Sequence, residues 1–233
     1  MEKTDSDKFK SILIERNGSE NLLIAFGGLK LGIGIPKFEF YNSISGIDCD
    51  KIFLRDFNQA WYHKGVTRKI NSIESVKEFL QEKILLGKYQ SVCLVGNSMG
   101  GFAAILFGTL LGVDNVICFS PQTFLNRGRR WFIGEKRWQK ELELIYNDKR
   151  ITQKIFDLKT VLSANDCIPF IQIFFSVHCK LDAIHAKRLE KYKNVILHPL
   201  NYTDHNTLVK SMRDSGQLHS IFHNFFEKND SIQ

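Results

Sequence analysis

A serine flanked by glycines is the first feature of this sequence that could do chemistry. Residues 96–100 read GNSMG, which fits the pattern G-x-S-x-G, and Gly101 follows. The apolar run 91–96 predicts a buried strand before the serine, and the small-residue-rich run 102–112 predicts a helix after it. A serine at so sharp a strand-to-helix turn stands above the sheet, at a helix N-terminus that favours negative charge. The sequence therefore predicts that Ser98 is a nucleophile.

A nucleophilic serine needs a base, and the base needs a group that orients it. His205 follows the predicted strand 194–200, and Asp182 follows the predicted strand 168–176 and opens a helix. The order Ser, Asp, His with a strand before each member favours this trio, although Asp182 would also serve as an ordinary helix N-cap. The rivals fit this order less well; they are His63, His178, His185, His198, His219, His223, Asp166 and Asp204.

Two backbone N–H groups should stabilise the oxyanion of an acyl-transfer reaction. Met99, directly after the nucleophile, is expected to offer one. Gly28, after the apolar run 20–26, is expected to offer the other, with Leu29 as the second choice, because glycine lets the backbone approach a substrate closely. The alternative is that Gly27-Gly28 is an ordinary turn.

The elements that must position these residues alternate between strands and helices. Apolar runs at 9–16 and 20–26 flank Asn17-Gly18, which predicts an N-terminal antiparallel hairpin. Several later strands are apolar on both faces, which is typical of a mostly parallel sheet with helices on both sides. No linker or repeat divides the chain, so an α/β fold in one domain over residues 1–233 is predicted.

Taken together, the glycine-flanked turn at 96–100, called here the elbow, and the ordered trio resemble the α/β-hydrolase superfamily over nearly the whole chain. The resemblance implies an eight-stranded or slightly reduced sheet. It also implies acyl-enzyme chemistry, in which Ser98 attacks a carbonyl, His205 moves the proton and Asp182 holds the imidazolium. Many members have His-Gly after the early strand, where this chain has Phe26-Gly27. The oxyanion donor is backbone, so this departure changes only the pocket wall.

Substrate choice in such enzymes often depends on an insertion, and residues 121–167 are the expected cap or lid. Arginines and lysines alternate with aromatics over 124–140, and we expect Arg130 and Trp131 to contact substrate there. This pattern also fits an amphipathic cap, an anionic-substrate site, or a nucleic-acid or membrane surface. Trp61 and Tyr62 are expected to wall the site on another side, or else to anchor their loop to the core.

The bulk composition limits the remaining function classes. The net charge of +7 is moderate, and we expect a small-molecule ester or thioester partner rather than nucleic acid. Five cysteines without a CxxC pair indicate free thiols and predict a cytoplasmic protein. No signal-peptide core and no apolar run of membrane-spanning length are present. The expected chemistry requires no metal and no cofactor, and the sequence says nothing about oligomeric state.

Ester or thioester hydrolysis is the leading interpretation. An acyltransferase would use the same trio with a sugar or other hydroxyl in place of water, and the sequence does not separate the two, because water exclusion belongs to the closed pocket. A protein that keeps the fold as a non-catalytic binding module is a further alternative, which the presence of all three side chains disfavours.

Overall fold

Seven strands in the part of the chain that the structure describes form a single sheet. The computed structural model describes residues 10–29, 38–201 and 204–230. The strands are β1 (Ile12–Glu15), β2 (Asn21–Phe26), β3 (Asp50–Leu54), β4 (Ser91–Asn97), β5 (Asn115–Phe119), β6 (Phe170–Ser176) and β7 (Val195–Leu200). Their order is β1-β3-β2-β4-β5-β6-β7, and all neighbours except β1 and β3 run parallel. The predicted α/β class with a mostly parallel sheet is confirmed.

The antiparallel strand at the N-terminal edge has a different partner from the one predicted. β1 pairs with β3, whereas the Asn17-Gly18 turn predicts pairing with β2. The turn is tied to the start of β3, because the backbone N–H groups of Asn17 and Gly18 donate to the Asp50 carboxylate at 2.8 and 3.1 Å. With the turn held at the start of β3, β1 lies beside β3 on the side away from β2. β2 is buried throughout 22–26 and takes the interior position between β3 and β4.

Helices cover both faces of the sheet, as predicted. They are α1 (Tyr41–Ile44), α2 (Ile73–Gly87), α3 (Met99–Leu111), α4 (Arg127–Phe132), α5 (Gln139–Tyr146), α6 (Leu158–Ser163), α7 (Lys180–Lys187), α8 (Leu208–Asp214) and α9 (Gln217–Asp230). Successive side chains of a strand point to opposite faces. Leu22 and Ile24 of β2 therefore join one apolar cluster with α2 and α3, while Leu23 and Ala25 join another with α8 and α9.

The segment 121–167 connects β5 to β6. It carries α4, α5, a 3₁₀ turn at Gln153–Phe156 and α6. Leu158 and Leu162 of α6 are fully buried in the main core, whereas α4 exposes Trp131 and Phe132. Its role as a cap stays a prediction. No helix among the described residues combines the length and apolar character needed to cross a membrane.

Candidate active site

The turn at Ser98 has the strained backbone that its glycine-flanked motif predicts. Ser98 has φ 53° and ψ −114° between β4 and α3, a conformation that costs a non-glycine residue about 1–3 kcal/mol. A Cβ on Gly96 would collide with the Gly100 carbonyl, and a Cβ on Gly100 would collide with the Phe26 carbonyl. The Ser98 N–H donates to the Phe119 carbonyl at 2.8 Å. The serine is thereby held at the carboxyl end of the central strands.

We expect Gly96→Ala to destabilise the fold by about 3 kcal/mol, because the new Cβ would meet backbone that cannot rotate away. Urea-induced unfolding at equilibrium would measure the loss. Gly128→Ala is the matched control, since Gly128 lies in α4 with open space around the added methyl group. Equal unfolding midpoints for the two variants would contradict this account of the turn.

Ser98, His205 and Asp182 lie within hydrogen-bonding distance of one another. His205 Nε2 is 3.0 Å from Ser98 Oγ, and His205 Nδ1 is 2.8 Å from Asp182 Oδ2. An ionised carboxylate only accepts hydrogen bonds, so Nδ1 carries the proton and Nε2 is left to accept the Ser98 O–H. Asp182 lies in the first turn of α7 and His205 lies between β7 and α8. Parallel strands bring these loops to one edge of the sheet.

Asp182 also pairs with Arg137, which the sequence analysis did not select as a site residue. Arg137 Nη1 donates to Asp182 Oδ1 at 2.9 Å, and Arg137 Nη2 donates to buried Glu135 at 2.6 Å. Burial raises the pKa of Asp182, but the hydrogen bond and charge of His205 and Arg137 outweigh burial and leave this pKa below its usual value. Arg137 lies 45 residues before Asp182, and no local pattern links the two.

Removing Arg137 would leave two buried carboxylates without their cation. We expect Arg137→Gln to lower the free energy of unfolding at pH 7 by about 3 kcal/mol. The folded-state pKa values of Asp182 and Glu135 are both lowered, so their stabilising effect is fully present above the unfolded-state values of about 4 and declines as pH falls from there through the folded-state values. The difference between variant and wild type should therefore shrink at pH 3.

Denaturant unfolding at pH 7 and pH 3 measures this effect. Arg127→Gln is the control, because Arg127 pairs with Glu143 and both side chains are at least half exposed. Such a surface pair contributes at most about 1 kcal/mol. A loss for Arg137→Gln that is as small as that of the control, or that is independent of pH, would count against the buried network.

The N–H of Gly28 already has a hydrogen-bond acceptor. It donates to Glu39 Oε2 at 2.6 Å, and Glu39 Oε1 accepts from Asn97 Nδ2 at 3.1 Å. Burial raises the pKa of the Glu39 carboxyl, and the hydrogen bonds from Gly28 and Asn97 offset part of that rise. A substrate carbonyl would have to replace Glu39 at this donor. Met99 is the first residue of α3, where N–H groups have no acceptor within a helix.

Trp61 and Tyr62 are both fully buried in the main core. Tyr62 Oη donates to the Gly27 carbonyl at 3.0 Å, so it supports the loop that carries Gly28.

Trp61 and Tyr62 both have positive φ, which for bulky residues signals strain. The Asp56 carboxylate accepts the Ala60 and Tyr62 N–H groups at 2.7 and 2.9 Å, and burial raises the pKa of Asp56 to about 6. Substrate contact by the two aromatics stays a prediction, and their burial favours the anchoring alternative.

Arg130 and Trp131 are adjacent but lie in opposite environments. Arg130 is 4% exposed and its guanidinium donates to the Arg137 carbonyl, whereas Trp131 is 83% exposed. Within the same segment, Arg127 and Arg129 pair with Glu143 and Asp157. These contacts favour the amphipathic-cap interpretation, and they do not bring the two predicted residues to a shared binding surface.

A cavity of about 660 Å³ opens beside the trio. Gly28, Asn97 and Asn206 line it, and the last two adjoin Ser98 and His205 in sequence. Both signs of charge are present in its lining, which includes Arg55, Lys210, Arg213, Glu39 and Asp56. The cavity therefore has a mixed lining, since these charged groups stand beside apolar side chains such as Phe38 and Phe57.

Gln122 contacts the nucleophile, and sequence reasoning missed it. Its Nε2 donates to Ser98 Oγ at 3.0 Å, and the side chain is fully buried just after β5. Its position after a parallel strand, at the same sheet edge as the trio, is the signal that could have drawn attention to it.

Among known proteins, the chain is similar to several solved structures. No protein-family model and no curated protein matches the chain. A capsule O-acetyltransferase of Neisseria meningitidis serogroup A has a TM-score of 0.69 at 17% identity, over 91% of this chain and 90% of that chain. A mutant of that enzyme in complex with CoA has a TM-score of 0.64 at 16% identity, over 93% and 89%. FphF, a fluorophosphonate-binding serine hydrolase of Staphylococcus aureus, has a TM-score of 0.59 at 12% identity, over 89% and 91%.

Proposed function

We propose that this chain, which has the α/β-hydrolase fold, is a serine enzyme that takes an acyl group from a carboxylic ester or thioester. The observation that carries the proposal is the continuous hydrogen-bond chain from Ser98 Oγ through His205 to Asp182. Its members come from three separate loops, and a purely structural role gives no reason for them to meet at a strained serine.

In the proposed reaction, Ser98 Oγ attacks the substrate carbonyl while His205 Nε2 accepts its proton. Asp182 stabilises the imidazolium, and the Met99 and Gly28 N–H groups receive the oxyanion. His205 then protonates the leaving alcohol or thiol, which departs from the acyl-enzyme. Water then attacks the acyl carbon with His205 as base, the bond from that carbon to Ser98 Oγ breaks, His205 returns the proton to Oγ, and the carboxylic acid departs. Removal of Glu39 from Gly28 must precede oxyanion binding at that donor.

Transfer of the acyl group to a hydroxyl acceptor is the second candidate. One observation favours it, which is the similarity to an O-acetyltransferase over about nine-tenths of both chains. Arg55, Lys210 and Arg213 in the cavity support an anionic donor such as a CoA thioester.

The experiments first test whether Ser98 is reactive and then separate the two candidates. Labelling by a fluorophosphonate and hydrolysis of p-nitrophenyl acetate test for a reactive Ser98. Acetyl-CoA consumption is then followed with and without oligosaccharide acceptors, and the products are identified by mass spectrometry. A hydrolase releases acetate at the same rate in both cases, whereas a transferase gives an O-acetylated acceptor. A folded sample that is neither labelled nor active on any donor would refute both candidates.

A further inference from the structure

We propose that Gln122 is a catalytic residue, which stabilises negative charge on Ser98 Oγ through its side-chain N–H. The inference rests on the proposed function, since it concerns the reacting oxygen of that chemistry. Gln122 Nε2 lies 3.0 Å from Ser98 Oγ, the same distance as His205 Nε2. Gln122 is fully buried, so bulk water does not compete for this hydrogen bond.

The orientation of the Gln122 amide follows from its other partner. Trp61 Nε1 lies 3.0 Å from Gln122 Oε1. An indole N–H is a donor only, so the amide must turn its oxygen toward Trp61 and its NH₂ toward Ser98. Ser98 Oγ accepts from Gln122 and donates its own proton to His205. Each proton along this chain therefore has a defined position.

The backbone next to Gln122 and the backbone at Trp61 both place these two side chains in contact. Gly101, the extra glycine of the elbow, leaves room for Pro121, whose Cβ lies 2.9 Å from where a Gly101 Cβ would be. Gln122 follows Pro121 directly, and its side chain reaches Ser98 at the start of α3. From the other side, Trp61 is held at a φ of 48° in the loop anchored by Asp56. Strain of this kind persists where surrounding contacts over-determine a position, and it concentrates at functional sites.

Two steps of the reaction place charge on Oγ. In acylation, Oγ gives its proton to His205 and forms the bond to the carbonyl carbon. In the second step, the bond from Oγ to that carbon breaks, Oγ keeps the electron pair, and His205 returns the proton. A fixed N–H donor stabilises Oγ in both transition states more than in the neutral hydroxyl or the ester, which is the condition for catalysis.

Gln122→Met tests the inference, because it keeps the length of the side chain and removes the donor. We expect kcat for p-nitrophenyl acetate to fall about 10²-fold with KM changed less than about threefold, as for loss of one preorganised donor. Gln122→Glu keeps an acceptor for Trp61 and, assayed at alkaline pH where the new carboxylate is ionised, offers Oγ no donor, so it should lose at least as much. Trp61→Phe, which frees the amide to rotate, should give a smaller loss in kcat.

Gln172→Met is the matched control. Gln172 is a partly buried glutamine on β6 whose side chain bonds His198, away from the trio, and its variant should keep wild-type kcat. Thermal unfolding checks that each variant is folded. If Gln122→Met does not fold, Gln122→Glu is judged by the same criterion.

The outcomes separate the two proposals. A folded Gln122 variant with kcat within threefold of wild type overturns the role of Gln122, while the wild type remains labelled by fluorophosphonate and active. A wild type that is neither labelled nor active overturns the proposed function, and the Gln122 role with it. A loss in kcat shared by Gln172→Met would likewise overturn the specific role, because it would trace to stability alone.

Discussion

Replacing Ser98 by alanine is expected to lower kcat for p-nitrophenyl acetate by about 10⁴- to 10⁶-fold and to abolish fluorophosphonate labelling. Alanine removes the one oxygen that accepts from Gln122 and donates to His205, and no other hydroxyl is described within reach of both. The variant should bind substrate, because the cavity and its lining are unchanged. Stopped-flow hydrolysis and intact-mass analysis after labelling provide the two readouts.

Ser163→Ala is the control for this substitution. Ser163 Oγ bonds Tyr192 Oη on the surface, and its loss should leave both labelling and rate unchanged. Ser98→Ala should remain folded, since alanine tolerates the same backbone conformations as serine, and thermal unfolding checks this. A Ser98→Ala sample that still hydrolyses substrate at the wild-type rate would show that no acyl-enzyme forms on this residue.

Asp182→Asn is expected to lower kcat by about 10⁴-fold with little change in KM. An asparagine can turn its NH₂ toward His205 Nδ1, which forces the tautomer that carries a proton on Nε2. That tautomer cannot accept the proton of Ser98. Arg137 would worsen the loss, because its charge would remain near the imidazole after the carboxylate that balances it has gone.

Asp157→Asn is the matched control for the second prediction. Asp157 is also buried and also paired with an arginine, Arg188, at 2.8 and 2.9 Å, and it caps α6. Its substitution should lower stability and leave the kcat of the folded protein unchanged. If both variants lost stability and activity to the same extent, Asp182 would be a structural residue rather than the partner of His205. Steady-state kinetics alongside thermal unfolding distinguishes these results.

Sequence reasoning identified Ser98, Asp182 and His205, and the structure brings the three together. The reason is that each follows a recognisable parallel strand, and parallel strands end at one edge. The same reasoning gave β1 the wrong partner. Asn17-Gly18 is a good turn in isolation, yet contacts to Asp50, more than 30 residues later, decide which strand lies beside β1.

Local patterns also could not assign the residues that complete the site. Arg137 belongs to a segment whose charges alternate with aromatics, and nothing in that alternation distinguishes it from Arg130. Only the fold shows that Arg137 reaches Asp182 while Arg130 is turned into the interior. In the sequence, Glu39 is likewise indistinguishable from the other carboxylates. Only the structure shows that it accepts the N–H of Gly28.

The sequence alone therefore determined the strained turn at Ser98, the order of the trio and the two-sided burial of the sheet. These features depend on steric limits at glycine and on side-chain periodicity, both of which act over a few residues. Tertiary structure decided the strand neighbours, the cation on Asp182, the carboxylate at Gly28 and the amide of Gln122 on Ser98. These contacts join loops far apart in the chain, and their geometry exists only after the strands have taken their places in the sheet.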